Sequence, residues 1–162
     1  IGISYYIDMP GMRFIVLDTN GIQDCVTITA RYQWLKRVLA SAGDKWKVVM
    51  WHHPAYSVRS SRINLPVRNT FVPLLERYGV HLVLQGHEHG FMRHIGTHGD
   101  HPVYLISYMS PKSYKLRKSS PGFKVIADTP MYHIVDYNNS TMEVRSYALA
   151  NDSIMDFVKI SR

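Results

Sequence analysis

Apolar positions along this chain fall into short continuous runs and two helically spaced stretches, an alternation that predicts an α/β fold. Residues 4–8 read as a strand, Pro10-Gly11 as a turn, and residues 13–18, holding Phe14-Ile15-Val16-Leu17, as a strongly apolar second strand. The pair predicts a hairpin, so part of the sheet is antiparallel. From Thr29 the period becomes helical, with Tyr32, Leu35, Val38 and Leu39 on one face and Gly43 just past the end. Residues 47–51 form another apolar run, which ends in His52-His53-Pro54. Val67, Phe71, Leu74, Leu75 and Tyr78 then predict a second helix over 67–79, with Gly79 as its C-cap. The run Leu82-Val83-Leu84-Gln85 follows. Strand, helix, strand makes a right-handed βαβ unit, so the runs at 47–51 and 82–85 are parallel. Beyond His89, residues 91–95, 102–107, 131–137, 142–147 and 154–160 predict an antiparallel meander, with Asn138-Asn139-Ser140 as one turn and 110–129 as a long loop.

Composition narrows the class. With 162 residues, 46% hydrophobic, 19% charged and 12% aromatic, the chain is long enough for one cored domain and unlike a disordered one; no linker or repeat divides residues 1–162. No apolar run approaches the roughly 20 residues that span a bilayer. Ile1 is not an initiator methionine, so upstream processing or truncation stays open. Cys25, alone, excludes an intramolecular disulfide and is placed in a polar loop. The net charge of +7 favours anionic partners: phosphorylated substrates or nucleic acid. The local run Lys112, Lys115, Arg117 and Lys118 reads first as a solvated basic loop and only second as a nucleic-acid contact.

The candidate chemistry lies where the parallel strands end. Ligands in open α/β sheets gather beyond the carboxyl ends of strands, and the βαβ unit delivers His52 and His87-Glu88-His89 to one such edge. His52, His87 and His89 are therefore candidate metal ligands, against the bland reading of buried, hydrogen-bonded histidines. Glu88 is expected to point the other way. His53 serves either as a substrate contact or as a structural donor. Arg59 or Arg62 can grip a phosphate oxygen. His94, His98, His101 and His133 read as surface or packing residues, and Trp34, Trp46 and Trp51 as core.

Phe14-Ile15-Val16-Leu17-Asp18-Thr19, Gln33-Trp34-Leu35, Val48-Val49-Met50-Trp51-His52-His53-Pro54 and Gly86-His87-Glu88-His89, in that order, resemble the carboxyl-terminal half of a calcineurin-like metallophosphoesterase, in its purple acid phosphatase-like branch. The resemblance implies a mixed β-sandwich flanked by helices, incomplete on its amino-terminal side, and phosphoester hydrolysis at a dinuclear centre of iron, zinc or manganese. It implies His52 and His87 as ligands of one metal and His89 of the other. The resemblance does not extend to the family's amino-terminal Asp-x-His, Gly-Asp-x-x-x and Gly-Asn-His motifs, and Gly99-Asp100-His101 follows the ligand motifs, so these residues carry half a site, with the missing amino-terminal half as the expected partner and little activity expected of the chain alone. Two departures stand out: residues 57–62 contain no histidine, and His81 stands where relatives often have an acid. The branch implies an extracytoplasmic location. Two other readings stay open, a non-catalytic basic binding module and a structural zinc domain.

Overall fold

Tyr5–Met9 (β1) and Met12–Val16 (β2) pair antiparallel across Pro10-Gly11, where Gly11 adopts φ +71°, a value that costs glycine nothing. The computed structural model describes residues 3–59, 64–96, 102–110, 112 and 114–162. The remaining elements are α1 (Cys25–Ala40), β3 (Trp46–Met50), α2 (Leu65–Arg77), β4 (Leu82–Gln85), β5 (Phe91–Ile95), β6 (Val103–Ile106), β7 (Phe123–Ile126), β8 (Met131–Tyr137), β9 (Thr141–Ala148) and β10 (Ile154–Ser161). They form a mixed sheet in the order β1-β2-β3-β4-β6-β5-β7 and a second, antiparallel sheet β10-β9-β8.

The large sheet has two covered faces. Ile15, Leu17, Val49, Val83, Tyr104 and Ile106 meet Leu35, Val38, Leu39, Val67, Phe71 and Leu75 of the helices. On the opposite face Met12, Trp46, Val48, Leu82 and Leu105 meet Met131, Met142, Val144, Val158 and Ile160 of the second sheet. Alternation along each strand feeds both layers, which is the mixed sandwich with helices that the resemblance implies. Buried Arg13 ties the hairpin to α1: its guanidinium donates to both oxygens of Asp8 at 2.8 and 2.7 Å, to the Val38 carbonyl at 2.9 Å and to Ser41 Oγ at 2.7 Å.

Three sequence expectations need correction. Residues after His89 do not form a simple meander: β6 inserts between β4 and β5 and runs parallel to β4. Every residue of β6 is buried, the mark of an interior strand covered on both sides. Secondly, β7 lies inside the stretch expected to be a loop; it is an edge strand, half-buried throughout, and too short to stand out among Lys, Ser, Pro and Gly. Finally, Cys25 is not in a loop but opens α1 and is exposed. Asp24 caps this helix by accepting from the Thr27 N–H at 2.7 Å, and Val26, exposed in the first turn, breaks the apolar period there.

Candidate metal centre

The βαβ unit sets the site. β3 and β4 pair in parallel through Val48–Leu82 and Met50–Leu84, and the ladder continues past both strands. Trp51 N–H donates to the Leu84 carbonyl at 3.0 Å and Gly86 N–H to the His52 carbonyl at 3.1 Å, so the two histidine motifs leave the sheet side by side. A Cβ at Gly86 would stand 3.2 Å from His52 Nδ1, so glycine permits the close approach of the ring. His87 itself takes φ +67°, a left-handed conformation unusual for a residue with a side chain.

His52 Nε2 lies 3.2 Å from His87 Nδ1. Two nitrogens on one tetrahedral ion, each about 2.0–2.1 Å from it, are about 3.3 Å apart, so this pair has the spacing of a shared ligand set. His53 completes a triangle of imidazoles, with ring centroids 5.2 Å from His52 and 4.9 Å from His87. His53 is held by Thr19: Oγ1 sits 2.8 Å from Nδ1 and accepts from the His53 backbone N–H at 3.2 Å. Thr19 is buried and lies three residues beyond β2. Sequence reading missed it, although Asp18-Thr19 directly follows an apolar strand, where ligands gather.

His89 stands apart from this triangle. Its ring packs against Tyr114 at 4.9 Å between centroids, and its Nδ1 is buried with no hydrogen-bond partner among the described residues. An unsatisfied buried imidazole nitrogen fits a metal donor. A cleft of about 700 Å³ joins His89 to His52 and His87, with Arg59, Tyr108, Lys112 and Tyr114 on its walls. The Arg59 guanidinium covers the Tyr114 ring at 4.5 Å. Among the described residues no three of His, Cys, Asp and Glu are grouped as a complete metal site.

Neighbouring carboxylates are committed elsewhere. Glu88, almost fully buried, turns to the loop after His-His-Pro and accepts from Ser57 Oγ at 2.6 and 2.8 Å and from Val58 N–H at 2.6 Å. Asp18 binds Arg31 at 2.8 Å; burial alone would raise its pKa, but the Asn20 N–H and the Arg31 charge hold it below the usual carboxylate range. Arg31 also donates to the Asn20 carbonyl.

The other histidines fall away from the site. His81 accepts from Lys47 N–H at 3.1 Å, at the start of β4. His94 bonds the Gly122 carbonyl at 2.9 Å and stacks on Phe123 at 4.0 Å; burial lowers its pKa. His133 bonds Ser146 Oγ at 2.9 Å. Arg62, His98 and His101 lie outside the described residues. Trp46 and Trp51 are buried as expected, and Trp34 packs against the core from its margin.

Comparison with known proteins places this geometry in a family. The chain is 39% identical over 66 residues to an acid phosphatase of Aspergillus ficuum, and 27% identical over 131 residues to purple acid phosphatase 15 of Arabidopsis thaliana. These alignments cover 39% and 78% of this chain but 11% and 22% of the relatives, so the chain spans about a fifth of their length or less. Its fold matches that of purple acid phosphatase PPD1 from yellow lupin (Lupinus luteus) seeds with TM-score 0.76 and 16% identity, over 98% of this chain and 32% of the other. Residues 2–91, more than half of the chain, match the family model described as Metallophos, calcineurin-like phosphoesterase, and the chain therefore belongs to that family, in its purple acid phosphatase-like branch.

Proposed function

We propose that the parent protein is a metal-dependent phosphoester hydrolase, a phosphatase or phosphodiesterase, and that residues 1–162 form the carboxyl-terminal portion of its calcineurin-like domain. The observation that carries this reading is the 3.2 Å approach of His52 Nε2 to His87 Nδ1 at the edge of a parallel sheet. His52 and His87 hold one ion of a dinuclear iron, zinc or manganese centre, and His89 offers its unsatisfied Nδ1 to the other. Such a centre, when bound, supplies Lewis acidity toward the phosphoryl group and an acidified water. Thr19 orients His53, which donates to a phosphate oxygen, and Arg59 supplies positive charge from the cleft wall. Three imidazoles lack the bridging carboxylate that two adjacent cations need, so the parent's preceding segment supplies the remaining ligands. An extracytoplasmic location of the parent accords with this branch; among the described residues, no helix is long and apolar enough to cross a membrane.

Hydrolysis of nitrophenyl phosphate with added manganese, iron or zinc tests the reading. Turnover is expected from the parent, lost in its His87→Ala variant, and near background from the 162-residue chain. Robust turnover by the chain alone, abolished by His87→Ala, would overturn the half-site.

The net charge of +7 favours a second reading, a non-catalytic module that binds an acidic partner or nucleic acid. Salt-dependent retention on heparin that chelator leaves unchanged, with no parent turnover, would establish it. A structural zinc domain would instead unfold when the metal is stripped.

A further inference from the structure

Three segments beside the cleft are bonded to one another. Glu88, only 1% exposed, stands between the candidate ligands His87 and His89 and sends its carboxylate to the loop after His-His-Pro. There it accepts from Ser57 Oγ at 2.6 and 2.8 Å and from the Val58 N–H at 2.6 Å. Gln85, three residues earlier, holds the same loop nearer its start by accepting from the Ala55 N–H at 2.7 Å. The Arg59 N–H donates in turn to Ser57 Oγ at 2.9 Å. The Val58 carbonyl accepts from the Arg117 N–H at 2.8 Å, which ties in residues 114–117. That third segment lies directly on the ligand turn, since a Cβ at Gly90 would stand 2.5 Å from Leu116 Cδ1.

Side chains close the circuit. The Arg59 guanidinium lies 4.5 Å from the centre of the Tyr114 ring, and that ring lies 4.9 Å from the ring of His89. The path from Glu88 through Ser57, Arg59 and Tyr114 therefore returns to the residue beside Glu88. A free arginine side chain is rich in rotamers, and stacking on a ring removes much of that freedom. A buried carboxylate is costly unless hydrogen-bonded, so the bonds to Ser57 and Val58 set the loop in a fixed place against the ligand turn.

We infer that Glu88 is a positioning residue: through Ser57 and Val58 it fixes the Arg59 guanidinium, braced on Tyr114, at a set place relative to His87 and His89. This rests on the hydrolase reading above and deepens it. Arg59 meets a phosphate oxygen already ordered, which is the gain that preset geometry gives. The hydrogen bonds of Glu88 do this, and its charge is not needed. A glutamine oxygen in the same place serves the Val58 N–H, and its amide donates to Ser57 Oγ. The hydroxyl proton is then left for the Arg59 carbonyl, 3.0 Å away.

A double-mutant cycle on nitrophenyl phosphate turnover by the metal-loaded parent tests this. Arg59→Ala is expected to lower kcat/KM by about a hundredfold, the scale that misplacing a bound substrate costs. Glu88→Leu should lower it by at least about tenfold, as lost outer-sphere partners do. The double variant should lose no more than Arg59→Ala alone, because both changes remove one interaction. Glu88→Gln should keep most of the activity, and bound metal should be the same in all four. Additive losses overturn the inference, as do a Glu88→Gln loss equal to that of Glu88→Leu or metal released by Glu88→Leu. Proton resonances of the Arg59 side chain in the 162-residue chain give a readout free of catalysis. The Tyr114 ring current shifts them; Glu88→Gln should keep that shift, and Tyr114→Leu and Glu88→Leu should abolish it. Where Glu88→Leu does not fold, Ser57→Ala breaks the same path, and the same coupling to Arg59→Ala and the same lost shift are expected. A shift that survives the broken path overturns the inference. A parent that binds metal without turnover, with the shift dependent on Glu88, would sink the hydrolase and keep the placement of Arg59; turnover with a shift independent of Glu88 would do the reverse.

Discussion

His52 Nε2 and His87 Nδ1 lie 3.2 Å apart although 35 positions separate them in the chain. Parallel pairing of β3 with β4, continued by the Gly86 N–H on the His52 carbonyl, produces this meeting. His87 enters it at φ +67°, a conformation that costs about 1–3 kcal/mol and persists where surrounding structure enforces it. Such strain at the candidate ligand pair supports a positioned site over a packing histidine.

Zinc or manganese titrated into the 162-residue chain should therefore bind at this pair. His52→Ala and His87→Ala should each weaken binding by at least about tenfold, as first-sphere losses do at least as much as the outer-sphere losses known to reach 10–100-fold. Calorimetry reads the change directly. Unaltered affinity in both variants would remove the pair from the site.

Gly86→Ala tests the spacing without removing a ligand. The new methyl would stand 3.2 Å from His52 Nδ1, so the ring must shift by a few tenths of an ångström. Metal affinity should fall while the urea midpoint moves little, because Gly86 lacks the positive φ that makes alanine costly elsewhere. A variant that binds metal like the parent sequence would show that the ring has room.

Glu88→Ala should cost stability instead. It strips Ser57 Oγ and the Val58 N–H of their buried acceptor. A loss of about 1–3 kcal/mol is expected, because the Val58 N–H is left unsatisfied while Ser57 Oγ keeps the Arg59 carbonyl as acceptor at 3.0 Å. Urea unfolding measures it, and a change below about 0.5 kcal/mol, the level of ordinary surface substitutions, would contradict the anchoring role.

His133 gives the fold an acid sensitivity. Burial pushes its pKa down to about 4 from 6.5, so the unfolded chain binds the proton more tightly than the folded one. The contribution to stability is complete above pH 6.5 and is lost as pH falls toward 4, by up to about 3 kcal/mol. Denaturant unfolding of wild type and His133→Gln between pH 7 and 4 should show a smaller slope in the variant. Parallel curves would refute the assignment.

Much of the architecture was legible because it is written in local periods. The hairpin at Pro10-Gly11, the βαβ unit and the strands β8, β9 and β10 follow from runs and alternations that two covered faces demand. β6 betrayed itself only by being apolar at every position, a sign of an interior strand that spacing alone assigned to a meander. β7, short and at an edge, left no pattern to read.

The sequence by itself determined that His52 and His87-Glu88-His89 leave parallel strands at one sheet edge, since a strand–helix–strand crossover brings both carboxyl ends to the same side; that the two strands are direct neighbours is seen in the structure. Only the tertiary structure decided which side chains meet. His53 joins His52 and His87 because Thr19, from the loop after β2 34 residues earlier, holds its ring, while His89 turns toward Tyr114 across the cleft. Glu88 likewise finds Ser57 and Val58 only once the loop after His-His-Pro has folded over β4. Backbone period sets the edge at which a residue emerges. Rotamers and loop partners, contributed from distant parts of the chain, set where its nitrogen points.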